Sequence, residues 1–232
     1  MKLAIMQPYF LPYIGYFHLL RSVDVMVLYD NIKYTKKGWI NRNRILQNNK
    51  EALVTLPLKN DSDHLDVCQR RLAENFDRAK MLQQFHAAYL QAPFFPETWP
   101  LVQNILTCDK TNLFDFLHHS IVAICAHLGL QTKILVSSSI AINHELKGEK
   151  KVLALCQQLK AEHYINTIGG QHLYSKAEFL DQKIKLNFIR SKPIEYAQFG
   201  NDFIAWLSII DVMMFNGREN IMSHLIDEFE LI

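Results

Sequence analysis

"KLAIMQPYFLPYIGYFHLLRSVDVMVLYD", residues 2–30, packs two strands, a turn and a helix into one short run. "KLAIM" at 2–6 is an apolar run of strand length, and residues 15–22 have the apolar character of a helix. "DVMVLYD" at 24–30 is apolar and rich in valine, which reads as a second buried strand. Strand, helix, strand at this spacing is the βαβ unit of a parallel sheet. The turn at 7–16 then lies at the carboxyl end of the first strand, where doubly wound sheets bind ligands.

The rest of the chain continues the pattern. "EALVTLPL" (51–58) reads as a strand. Residues 70–129 read as helical, broken near "QAPFFPETWP" and ending at Gly129 as a C-cap. "TKILVSS" (132–138) is a strand, "GEKKVLALCQQLKA" (148–161) an amphipathic helix, and "EHYINTIGG" and "IKLNFIRS" two more strands, while the tail at 204–231 has helical character. Strands alternating with helices predict an α/β fold: one domain over 1–232, with a parallel, Rossmann-like, nucleotidyltransferase-like core and a helical insertion at about 70–129.

Composition narrows the classes of function. The chain has 232 residues, 49% hydrophobic and 21% charged, with a formal net charge of +2. That balance argues against wholesale nucleic-acid binding. The four cysteines form no Cys-x-x-Cys pair, and the ten histidines form no His-x-x-x-His pair, so no structural metal is expected. No apolar run nears the roughly 18 residues of a membrane span, and there is no signal-peptide layout. The expectation is a soluble cytoplasmic protein without membrane contact.

Four blocks carry the chemistry. In the opening turn, Gln7, Tyr13, Gly15 and Tyr16 can bind a ligand, glycine allowing close approach to the backbone at a helix start. Core packing accounts for Phe10 and Phe17 there. His18, just beyond, is a candidate proton acceptor. In "YTKKGWINRNRI" (34–45), Lys37, Arg42 and Arg44 offer cations for phosphate or carboxylate, Asn41 and Asn43 offer amides, and Trp39 offers a stacking face. In "INTIGGQHLYSK" (165–176), Gly169 and Gly170 end a strand as a backbone anion cradle or a simple turn, with Asn166 and Lys176 nearby. In "QFGNDFIAWLSIIDVMMFNG" (198–217), Asp211 is a carboxylate among apolar residues, either a catalytic base or a structural partner of the basic block.

Tyr13-Ile14-Gly15-Tyr16 resembles, in position, the His-x-Gly-His signature of nucleotidyltransferases and class I aminoacyl-tRNA synthetases, with both histidines replaced by tyrosines. A tyrosine keeps a hydrogen bond to phosphate but not an imidazolium charge. Taken together, "QPYFLPYIGYF", "KKGWINRNRI", "YINTIGGQHLYSK" and "PIEYAQFGNDFIAWLSIIDVMMFNG" resemble the WbqC-like protein family. The resemblance implies a bacterial transferase of surface-polysaccharide (O-antigen) biosynthesis, moving a glycyl or other acyl group onto an amino sugar. The partners are then a nucleotide sugar and an activated acyl or aminoacyl donor, an aminoacyl-tRNA being the one nucleic acid in view. Nucleotidyl or adenylyl transfer with a triphosphate in the opening turn is one alternative, and a non-enzymatic nucleotide-sugar binding protein another. The residues name no cofactor, and they leave the acyl donor and the oligomeric state open.

Overall fold

The computed structural model describes residues 1–200 and 202–232. Six strands form the central sheet in the order β5-β2-β1-β6-β7-β8. They are β1 (Lys2–Met6), β2 (Val25–Leu28), β5 (Lys133–Val136), β6 (His163–Thr167), β7 (Lys185–Ser191) and β8 (Phe229–Leu231). The first five run parallel, and β8 closes the edge antiparallel to β7. The chain steps outward from β1 to β2 and β5, then returns to the other side of β1 for β6 and β7. That reversal is the topological switch point of a Rossmann-like sheet. The ladder between β1 and β6 covers only Lys2↔His163 and Leu3↔Tyr164, whereas β1 and β2 pair over four residues. The crevice therefore opens where β1 and β6 run on beyond their pairing.

Alternation along the strands feeds two cores, as the pleat requires. Leu3, Ile5, Val25 and Val27 face Val152 and Leu155 of α5 (Gly148–Gln158) and Phe179 of α6 (Lys176–Asp181). Ala4, Met26 and Leu28 face Phe17 and Leu20 of α1 (Ile14–Arg21) and the helices α2 (Arg78–Tyr89), α3 (Phe95–Thr107) and α4 (Leu113–Leu128). Each face of the sheet is thus covered, and the strands are near-continuously apolar for that reason.

Three local expectations are corrected. The run at 51–58 supplies no strand to the central sheet. It becomes β4 (Lys50–Thr55), paired antiparallel with β3 (Arg42–Gln47) in a separate hairpin. Asn48 and Asn49 turn it with φ of +51° and +58°, the left-handed pair that suits a two-residue hairpin loop. The helical region starts at Arg78 rather than near 70. Asp77 caps it by accepting from Lys80 N at 2.8 Å, while Leu72 and Arg71 upstream make isolated bridges with Leu58 and Asn112. The tail is helical only through α7 (Ile209–Phe215) and a short stretch ending at Leu225, and β8 follows. Gly129 does cap α4, at φ +78°. The connection from β2 to β5 thus carries the hairpin as well as α2–α4. No helix of the described residues is long and apolar enough to cross a membrane.

Candidate functional site

The opening turn is tied down by the second and fourth blocks. The Asn43 amide donates to the carbonyls of Phe10 (3.0 Å) and Leu11 (2.7 Å). Phe10 N donates to the carbonyls of Trp39 and Ile40. From the other side, Ser208 Oγ donates to Leu11 O at 2.8 Å and Ile209 N to Pro12 O at 2.9 Å. Leu11 sits at φ +44°, a conformation a leucine rarely adopts, and these bonds surround it. Asn43→Ala should therefore cost about 1–3 kcal/mol, because the Phe10 carbonyl loses the Asn43 amide while Leu11 O keeps only Ser208 Oγ. Urea denaturation measures this; unchanged stability would show that the turn holds its own shape.

Beside the turn, at the carboxyl ends of β1 and β6, lies a cavity of about 350 Å³. The opening turn gives it Tyr9, Pro12, Tyr13, Gly15 and Tyr16; the strand ends give Met6, Thr167, Ile168, Gly169, Ile189 and Ser191. Trp39, Asn43 and Arg44 come from the second block and Trp206 from the fourth. Trp39 and Trp206 are both exposed although large and apolar, Trp206 the more so. Arg44 links their two segments: its guanidinium lies 5.2 Å from the Trp39 ring, and Nη2 donates to Trp206 O at 3.3 Å. Nη1 pairs with Glu51 at 2.8 Å, while buried Nε has no hydrogen-bond partner. Among the described residues, Arg44 is the single cation lining the cavity. A second cavity, of about 340 Å³, shares Tyr13, Ser191 and Trp206 with the first and extends toward Tyr196 and Phe203.

Gly15 is there for Tyr13. A Cβ at position 15 would fall 2.0 Å from the Tyr13 hydroxyl oxygen, so the phenol ring lies across the glycine. That places Tyr13 Oη 3.1 Å from Ser191 Oγ and its ring 5.3 Å from the Trp206 ring. Tyr16 points back, its hydroxyl donating to Gln7 O at 3.1 Å, and burial raises its phenol well above the ordinary range. The Tyr16 hydroxyl therefore stays a neutral donor near neutral pH.

His18 is fully buried behind this row. Its Nε2 lies 2.9 Å from the Leu225 carbonyl and its Nδ1 2.9 Å from Ser191 Oγ. A carbonyl only accepts, so in the neutral ring Nε2 carries the proton and Nδ1 presents a lone pair to Ser191. Burial lowers the imidazole pKa, outweighing the hydrogen bond to Leu225. Below the ordinary value of 6.5 the unfolded chain binds a proton that the native ring resists, so stability falls as pH drops through that range. A His18→Gln variant should lose this acid dependence, which melting curves between pH 7 and pH 5 would reveal.

The remaining predicted residues lie outside the cavity. Arg42 serves its own loop, donating to the carbonyls of Gly38 and Lys37. Lys37 is exposed at φ +63°. Asn41 accepts from Tyr34 Oη and donates to Leu56 O, so it fastens the loop to the hairpin. Gln7 is half-buried, and its backbone is the acceptor for Tyr16. Asn166 is buried, donating to Tyr164 Oη and accepting from Thr167 N, and it packs beneath buried Gly170. Lys176 is exposed, 5.9 Å from the Phe188 ring. Asp211 is fully buried, with no basic partner among the described residues: Tyr89 Oη, Tyr196 Oη and Gln198 Nε2 donate to it at 2.8, 2.7 and 2.7 Å. It is a packing hub, not a base open to the cavity, which corrects the pairing with the 36–44 block.

Ser191 and Trp206 escaped the reading of the sequence. Ser191 is the polar last residue of β7, on the ligand side of the sheet, a position a strand prediction alone could have marked. Trp206 sits at φ +64°, and nothing in its neighbours announces that turn.

A comparison with known families matches the WbqC-like protein family over residues 7–223. Among curated proteins, the chain is 29% identical over 224 residues to Uncharacterized protein Rv1507c of Mycobacterium tuberculosis, covering 94% of this chain and 95% of that one. No solved structure matches.

Proposed function

The chain belongs to the WbqC-like protein family, and from that premise we propose that it transfers an acyl or aminoacyl group, glycyl among them, to the amine of a nucleotide-linked amino sugar in bacterial surface-polysaccharide biosynthesis. The observation that carries this reading is the switch-point cavity of about 350 Å³, flanked by Trp39 and Trp206 and supplied with one arginine. Flat aromatic faces suit a sugar ring or a base, and the volume lies in the range of small-molecule sites. Arg44, the cation lining the cavity, offers its guanidinium charge to a phosphate. An attacking amine must lose a proton, and Ser191 at the cavity wall, hydrogen-bonded to the buried His18 behind it, can relay that proton to the imidazole.

A thermal-shift screen of nucleotide sugars with and without an amino group tests the reading. A ligand held at about 100 times its Kd adds about 2.7 kcal/mol. In a chain of this length that is a rise of roughly 5–10 °C. Stabilisation by nucleotide amino sugars, with mass-spectrometric transfer of an acyl group from an activated donor, supports it. No response to any amino sugar would end it.

The family of nucleotidyl transfer reactions is disfavoured by the same geometry. Charge developing at phosphorus calls for cations or metal ions, and the two tyrosines supply neither. Among the described residues lining the cavity there is also no carboxylate to hold a magnesium ion. With Mg²⁺, each nucleoside triphosphate and candidate sugar phosphates, no pyrophosphate should appear. Robust release that vanishes in Tyr16→Phe would reverse this conclusion.

A further inference from the structure

We propose that Ser191 is a covalent nucleophile, activated by His18, that carries the acyl group between donor and acceptor; this rests on the acyl-transfer reading above. Three features of the geometry support it. Ser191 Oγ is 2.9 Å from His18 Nδ1, a nucleophile and base in contact. The base is oriented by a third group, the Leu225 carbonyl at 2.9 Å from Nε2, which fixes the tautomer and stabilises the imidazolium. Finally, Ser191 lines both cavities, of about 350 and 340 Å³, so that a donor and an acceptor each have their own approach to one oxygen. Tyr13 Oη, 3.1 Å from Ser191 Oγ and lining the same two spaces, is the nearest side-chain donor for a developing oxyanion.

The steps balance. Ser191 Oγ attacks the acyl carbonyl carbon while its proton passes to His18 Nδ1. The bond from that carbon to the donor's leaving group breaks, and His18 returns the proton to the leaving group. The neutral amine of the acceptor then attacks the acyl-serine carbon, His18 takes one amine proton, the bond to Oγ breaks, and the proton returns to Ser191. The sum is acyl donor plus amine giving amide plus protonated leaving group.

A buried serine–histidine contact can also be purely structural, so the test reads covalent chemistry. The whole protein is treated with p-nitrophenyl acetate and, separately, with a fluorophosphonate, and adducts are mapped by peptide mass spectrometry. The expected result is a stoichiometric burst of p-nitrophenolate with one acetyl group on Ser191. Ser191→Ala should abolish the adduct while keeping the native circular dichroism, with a melting temperature lowered by a few degrees because buried His18 Nδ1 loses its partner. His18→Gln should slow acylation by about 100-fold or more. Ser191→Cys keeps a nucleophile at that position and should accept the acetyl group, which guards against a merely structural loss of the adduct in Ser191→Ala. No adduct on Ser191 with either reagent, or a burst unchanged in Ser191→Ala, overturns the proposal. Acetyl-Ser191 that is never passed to a nucleotide-linked amino sugar would keep the nucleophile and reject the acceptor. Transfer that survives in Ser191→Ala would keep the acceptor and reject the nucleophile.

Discussion

Asp211→Ala is expected to lower the melting temperature by roughly 10 °C, the largest stability effect of any single change near the cavity. The carboxylate is the common acceptor for Tyr89, Tyr196 and Gln198, which come from α2 and from the segment before α7. Gln198 retains a bond to Ile204 O, and Tyr89 Oη still accepts from Leu46 N. The two phenol hydrogens, however, lose their acceptor in a buried setting. Each such loss costs about 1–3 kcal/mol, and about 3–5 kcal/mol in total is a fair expectation once the deleted volume is included. Asp211→Asn keeps the shape and one acceptor oxygen and should cost less. The two variants also differ in their pH dependence. Burial raises the Asp211 carboxyl above its ordinary 3.8, against the three hydrogen bonds that lower it. The native state therefore favours the protonated form, and its contribution to stability is lost as pH rises from 3.8 through the raised value. Asp211→Asn has no such loss, so its deficit against the natural chain should shrink as pH rises from 4 toward neutrality. Chemical denaturation across that range checks the sign. An Asp211→Ala protein with unchanged melting but no ligand response would place the carboxylate in the site after all.

The parts legible in the sequence were the local ones. The β1–α1–β2 unit could be read because its strands and helix follow one another and their apolar runs are complete within 29 residues. The end of α4 could be read because a glycine marks it. What resisted reading depends on partners far along the chain. An alternating or apolar run states that a strand is buried, not which strand it pairs with, so β4 was indistinguishable from a strand of the main sheet. The Asn48-Asn49 turn was the missed signal, since two asparagines side by side tolerate the left-handed conformation that a tight hairpin needs. β8 is three residues long and gains its place from pairing with Ile189–Ser191, more than thirty residues upstream. For the cavity, the sequence offered the right blocks but not the division of labour inside them. Within the second block, Arg44 and Trp39 reach the space while Arg42 and Asn41 hold the loop; Arg42 and Arg44 lie on one face of β3 by alternation, and only the carbonyls of Gly38 and Lys37, which take up the Arg42 guanidinium, separate their roles. Ser191 carried no motif at all; only the contact with His18, 173 positions away, gives it chemical meaning.

Gly15→Ala is expected to damage the cavity far more than the fold. The new methyl would fall 2.0 Å from the Tyr13 hydroxyl oxygen and 2.1 Å from the ring carbon that bears it. The phenol is half-buried at the end of a rotatable side chain, so it moves rather than unfolding the turn. Alanine also favours helix over glycine by about 0.8–1.0 kcal/mol, and position 15 lies in the first turn of α1, so part of any strain is offset. The melting temperature should change by only a few degrees. Binding and turnover should fall much further, because the displaced phenol gives up Ser191 Oγ at 3.1 Å and the Trp206 ring at 5.3 Å. A misplacement of about 1 Å in a catalytic arrangement can cost 100-fold in rate. The control is the double variant. In a Tyr13→Ala background there is no ring for the methyl to strike, so adding Gly15→Ala should cost almost nothing more. That non-additivity separates displacement of Tyr13 from any direct need for a bare backbone against the ligand. Ligand titration by thermal shift on the single and double variants measures it. If Gly15→Ala remains as harmful without the tyrosine ring as with it, glycine is required by the ligand itself, and the turn approaches its substrate by the backbone.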